Sequence, residues 1–186
     1  MNETESIPLG WSDESLPLHS VVSFYYSDDE TVRRSLAFLE VGLAEPGTFC
    51  IVLADASRHE AILDQLQRAH TGDLRELMDA GKLATVGGLP TFEDLAHAMV
   101  SRMDRALEAG YLRIRALGFV AWGQPGWPDA SALKLCEAQV NKVAALYPAV
   151  VVCTYNVPQL PGDYLRERAL GDGPTIVINE PVVRPQ

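Results

Sequence analysis

Apolar positions along this chain switch between two periods. The runs "SVVSFYY" (20–26), "TFCIVLA" (48–54), "KLATVGG" (82–88), "LRIRALGFVAW" (112–122), "AVVVCTYN" (149–156) and "PTIVINE" (174–180) are short and rich in β-formers. Their near-continuous apolar character predicts strands covered on both faces. Between them apolar residues recur at helical spacing: Val32, Leu36, Leu39 and Leu43 form one stripe of a helix expected over 28–44, and "RHEAILDQLQRAH", "FEDLAHAMVSRMDRALEAG", "ASALKLCEAQVNKVAALY" and "GDYLRERAL" repeat that period. Strand and helix alternating throughout predict an α/β fold: a mostly parallel central sheet with helices on both faces, a three-layer sandwich.

Local signals mark the element ends. Ser27 with Glu30 has the spacing of a capping box, and Thr91 with Asp94 is a looser version. Gly110 and Gly81 stand where a left-handed residue ends a helix, the latter closing a short extra helix in "DLRELMDAG". Pro148 stops the helix that Tyr147 completes. Residues 1–18 are polar and acidic and are interrupted by Pro8 and Pro17, so they read as a mobile N-terminal arm, with Leu9, Trp11 and Leu16 as the side chains that would dock it. Residues 19–186 read as a single domain, because 186 residues at 47% apolar content fill one core but not two.

Charge and cysteine usage narrow the function. A formal net charge of −10 with scattered basic residues argues against a nucleic-acid surface, whose affinity comes from cations that displace phosphate counterions. No apolar run approaches the roughly 18 residues that span a bilayer, and "MNETESIPLGWSDESLPLHS" lacks the parts of a signal peptide. The expectation is a cytoplasmic protein without membrane partners. Cys50, Cys136 and Cys153 are odd in number and widely spaced, which suits free thiols and no metal site.

The corner after the first long strand carries the most chemical information. A strand leading into a helix is the layout of a phosphate cradle, yet glycines and lysine are replaced by Tyr25, Tyr26, Ser27, Asp28, Asp29 and Glu30. A carboxylate about 4 Å from a phosphate charge costs roughly 4 kcal/mol per charge pair at an effective dielectric of about 20. The same acids stabilise their own helix by about 0.3–1 kcal/mol each. The corner therefore serves its helix and repels phosphate.

At this point the chain resembles a known family. The run "FYYSDDETVRRSLAFLEVGLAEPGTFCIVLAD", with "GKLATV", "MVSRMDRALEAGYLRIRALGFVAWGQP", "LCEAQVNKVAALYP" and "VVVCTYNVPQLPGDYLRERAL", is similar to the MEDS domain, the methanogen/methylotroph sensory domain of DcmR-type regulators. The resemblance covers about residues 19–180 and implies a RecA-like, KaiC-type fold whose nucleotide motifs are worn away. It implies sensing of small molecules, hydrocarbon derivatives among them. Two departures stand out. The family's Gly-Glu-Met-x-Trp run is Gly118, Phe119, Val120, Ala121 and Trp122 here, and its His-Pro matches Gly173 and Pro174, so both ionisable groups are gone.

In parallel sheets ligands sit beyond the strand carboxyl ends. Reading off those ends gives Tyr25, Tyr26, Ser27, Asp55, Gly87, Gly88, Phe119, Trp122, Tyr155 and Asn156, with His19 at the entry to the first long strand as a further candidate. An aromatic rim with hydroxyls and an amide suits a small, largely apolar molecule. For Tyr26, Phe119 and Trp122 ordinary core packing explains the residue equally well, and Asp55 reads also as a turn or cap residue. No nucleophile elbow occurs, and His59, His70 and His97 lack partners at triad or ligand spacing. The expected function is a non-enzymatic sensory module without a cofactor, binding a small molecule and signalling to a regulatory protein partner. The alternatives are a pure interaction domain with a filled pocket and a residual nucleotide-binding, ATPase-like protein.

Overall fold

The computed structural model describes residues 5–26, 29–87, 89, 91–119, 127–160 and 176–178. In chain order these form β1 (Ser6–Pro8), β2 (Ser15–Pro17), β3 (Ser20–Tyr26), α1 (Asp29–Ala44), β4 (Thr48–Ala54), α2 (His59–Ala69), α3 (Leu74–Asp79), β5 (Leu83–Val86), α4 (Phe92–Glu108), β6 (Arg113–Phe119), α5 (Ala130–Ala144), β7 (Ala149–Asn156), a 3-10 turn (Val157–Gln159) and β8 (Ile176–Ile178). Ser27 and the segment "GDYLRERAL", expected as a cap and a helix, lie outside the described residues.

Six strands make one parallel sheet in the order β5-β4-β6-β7-β3-β8. From β3 through β4 to β5 the chain steps toward one edge, and from β5 through β6 to β7 it steps back. Right-handed crossovers then place the intervening helices on opposite faces. Accordingly Leu36 and Leu39 of α1, Ile62 and Leu66 of α2 and Leu74 of α3 pack with Val22, Val52, Leu117 and Val152. On the other face Leu95, Met99 and Met103 of α4 and Leu133 of α5 pack with Ile51, Ile114, Ala116 and Val151.

The helix ends follow their sequence signals. Asp94 N–H donates to Thr91 Oγ1 at 3.1 Å, Arg75 N–H to Asp73 Oδ1 at 2.8 Å, and Ala132 N–H to Asp129 Oδ1 at 2.9 Å. Gly81 and Gly110 take φ of 70° and 88°, the left-handed conformation that a side chain disfavours.

The N-terminal segment departs from expectation. Instead of a mobile arm, residues 5–18 form an antiparallel β1–β2 hairpin with Ile7 opposite Leu16. Ile7 and Leu9 are almost fully buried in the α1-side core, and the Trp11 ring lies 5.0 Å from that of Phe24 and 6.0 Å from that of Phe38. Pro8 and Pro17 end short strands of a two-stranded ribbon, where a missing N–H costs no sheet hydrogen bond. Ile7, Leu9 and Trp11 alternate at period two, and that was the signal the polar composition concealed.

One buried charge locks this side of the molecule. Arg115, in the middle strand β6, has no exposed side-chain surface. Its Nη1 donates to Pro8 O at 2.6 Å and Phe38 O at 3.2 Å, its Nη2 to both Glu45 carboxylate oxygens at 3.2 Å, and its guanidinium lies 5.0 Å from the Phe38 ring centroid. Gly42 makes room for it: a Cβ there would stand 2.9 Å from Arg115 Nε and 2.8 Å from Cys50 Sγ. The guanidinium thus ties the hairpin, α1 and the sheet together through charge-assisted hydrogen bonds from both terminal nitrogens, while its buried Nε finds no partner among the described residues.

Candidate functional site

Strand alternation splits the expected aromatic rim into two clusters. Successive side chains of β3 point to opposite faces, so Tyr26 belongs to the α1 side and Tyr25 to the α4–α5 side.

On the α1 side Tyr26 meets a polar bridge centred on Arg58, a residue the sequence reading left out. Arg58 Nη1 donates to Tyr26 Oη, Nη2 donates to Gln159 Oε1 at 3.0 Å, and Nε lies 3.7 Å from Asp55 Oδ2. Burial raises the Tyr26 pKa above its ordinary value, opposed by the nearby Arg58 charge. β3 and β4 are three strand spacings apart, roughly 14 Å, so Arg58 roofs the carboxyl ends of β6 and β7 on this side. Asp55 shapes the turn beneath: its Oδ1 accepts from Ser57 N–H at 2.8 Å and from Ser57 Oγ–H, while its backbone oxygen accepts from Arg58 and His59 N–H. Asp55 Oδ2 is buried and accepts no hydrogen bond among the described residues. Gly87, also read as a strand end, passes directly under the His59 ring. Phe119 is 1% exposed and packs in the core beside Tyr26.

On the α4–α5 side Tyr25 stacks on Tyr155, with ring centroids 5.2 Å apart and planes inclined by 22°. Tyr155 Oη donates to Glu137 Oε1 of α5 at 2.9 Å. A cavity of about 20 Å³ adjoins Tyr155, Cys153 and Val140. Beside it a wholly apolar cavity of about 40 Å³ is lined by Phe92, Met99, Gly118, Trp127, Val140 and Cys153, among others. Its origin is legible in β6. Ile114, Ala116 and Gly118 occupy alternate positions on this face and shrink toward the carboxyl end. A Cβ at Gly118 would find nothing nearer than Val152 O at 3.9 Å and Leu53 Cδ1 at 4.0 Å. Glycine inside a buried central strand is unfavourable for the strand and signals room for something else.

The remaining candidates fall elsewhere. Asn156 is half-buried, pairs in register with Tyr26 and leads into the 3-10 turn. His19 is exposed at the amino end of β3 with φ of 69°, its N–H donating to Ala149 O at 2.7 Å. Along the seven residues of β3 that is about 20 Å from Tyr26, so His19 does not join the strand-end cluster. Ser27, Gly88 and Trp122 lie outside the described residues, as do Val120, Ala121, Gly173 and Pro174. Sequence reasoning missed Arg58, Glu137 and Trp127, which gain their partners only when helices and loops close over the strands. It missed the meaning of Gly118, for which strand position was the available signal. No group of three or more His, Cys, Asp or Glu among the described residues could hold a metal ion, and no described helix is long and apolar enough to cross a membrane.

A six-stranded parallel sheet of this order, covered by helices on both faces and with its candidate crevices at the strand carboxyl ends, defines an α/β protein of the RecA/KaiC type. A KaiC-like protein from the hyperthermophilic archaeon Pyrococcus horikoshii superposes with a TM-score of 0.56 at 15% identity, over 87% of this chain and 73% of that one. The family model described as "MEthanogen/methylotroph, DcmR Sensory domain" matches residues 21–169, and the chain belongs to this MEDS family. No curated protein sequence matches the chain.

Proposed function

We propose that this sensory-family domain takes a small apolar molecule into the seam between α4 and α5 and reports it by associating with a regulatory protein, without catalysing a reaction. The observation that carries the reading is the apolar void of about 40 Å³ at Gly118, at the carboxyl end of the sheet. Its described walls offer carbon and sulfur without an anion-binding group, which suits an uncharged occupant. Drug-sized ligands fill about 300–1,000 Å³, so the occupant is a molecule of very few heavy atoms, or α4 and α5 part around a larger one.

Xenon and a series of short-chain alcohols and ketones test this. Saturable chemical-shift changes at Gly118, Met99 and Trp127, abolished in Gly118→Val, are the expected result. The absence of any response to these probes, together with capture of a defined protein partner, would remove the ligand from the proposal. The second reading, an interaction domain with a filled pocket, rests on the buried Tyr25–Tyr155 stack and on the cavity of only about 20 Å³ beside it. It predicts that partner binding is indifferent to every probe and to Gly118→Val.

A further inference from the structure

A larger cavity lies away from the strand carboxyl ends. It has a volume of about 390 Å³ and opens at the edge of the sheet where β4 and β5 meet α3 and α4, with Phe49, Ala84, Ala106 and Tyr111 supplying an apolar floor. We infer that this cavity is a second binding site, for a carboxylic acid with a compact apolar body.

Three observations support the assignment. The volume falls within the range of small-molecule sites, about 300–1,000 Å³, whereas the strand-end seam does not. The charge at its mouth is the reverse of the chain's. In a protein of formal net charge −10, the charged residues among the described lining are Arg102 and Arg105, with no Asp or Glu beside them there. Both arginines are exposed, stand three residues apart on α4 and so share a face, and neither has an ion-pair partner among the described residues. The third observation is the edge of the sheet. Among the described strands β5 is hydrogen-bonded to β4 alone, and its consecutive residues Leu83, Ala84 and Thr85 line the cavity, with their other backbone edge turned away from β4. An acid whose body lies on Phe49 and Ala84, which share the α4 face of the sheet, would place its carboxylate toward two guanidinium forks, the donors best matched to it. The site stands independently of the one at Gly118, because the two cavities share no lining residue.

Calorimetric titration of the full chain with benzoate and octanoate, beside benzyl alcohol and octanol as neutral counterparts, decides the matter. The acids should bind about tenfold more tightly than the alcohols, and Arg102→Gln with Arg105→Gln together should erase that margin. Ala109→Phe, which adds bulk at the exposed rim of the cavity on the α4 side without changing charge, should abolish binding of acids and alcohols alike. None of these variants should alter the xenon response at Gly118, so failure here is separable from failure there. Equal affinity for acids and alcohols, or acid binding unchanged by the arginine double substitution, would overturn the proposal. Binding of an extended acidic peptide where both free acids fail would do so as well, reassigning the edge of β5 to strand addition.

Discussion

The two faces of the sheet are built on opposite principles. Against α1, the space near the amino end of β6 is filled by Arg115, whose charge is met by Glu45 and by two carbonyls from different segments. Against α4 and α5, the carboxyl end of the same strand tapers from Ile114 through Ala116 to Gly118 and leaves a void. The first arrangement tolerates one geometry only, since every group around a buried cation must be in place. The second leaves slack at the sheet's carboxyl end. One strand thus separates a tightly coordinated anchor from a loosely packed end, and the contrast is what the proposed apolar site relies on.

Breaking the anchor should produce the largest effect. Glu45→Ala leaves the buried guanidinium without its countercharge and should cost about 3–5 kcal/mol of unfolding free energy in denaturant titrations. Leu9→Ala removes a nearly fully buried side chain from the docked hairpin and should cost about 2–5 kcal/mol. A loss under half a kcal/mol would mean that residues 5–18 behave as the mobile arm expected from composition. Gly42→Ala crowds Arg115 and Cys50 and should cost about 1–3 kcal/mol by the same assay.

The anchor also sets an alkaline limit. Burial pushes the Cys50 thiol from 9.0 up to about 12. A raised folded-state value means the unfolded chain releases this proton first, so the contribution is intact below pH 9 and is lost as pH rises toward about 12. Unfolding midpoints measured across that window should fall less steeply in Cys50→Ala than in the parent. Gly118→Ala, on the adaptable face, is the smallest change. The added methyl finds room, and stability should rise by up to about 1 kcal/mol, where the same substitution at Gly42 destabilises. A loss at Gly118 comparable to that at Gly42 would erase the contrast between the faces.

Much of the frame was legible in the chain. The runs at 20–26, 48–54 and 149–156 coincide with β3, β4 and β7 to the residue, because a buried parallel strand must be continuously apolar and leaves an unambiguous local record. The resemblance to the MEDS family, carried by motifs in order, reached the family and the fold that the comparisons show. The site was less legible. Tyr25 and Tyr26 are adjacent in sequence but on opposite faces of the sheet, and His19, a further candidate ligand residue, stands just before β3, a strand's length from the others.

What the sequence determined by itself is the set of elements and their order, since periodicity and capping are properties of neighbours along the chain. What only the tertiary structure decided is which side chains share a space. Arg115 meets Pro8 and Phe38, Arg58 meets Tyr26 and Gln159, and Gly118 borders a void. Each of these relations spans tens of residues or more, and its energy depends on burial, which exists only after the layers have closed.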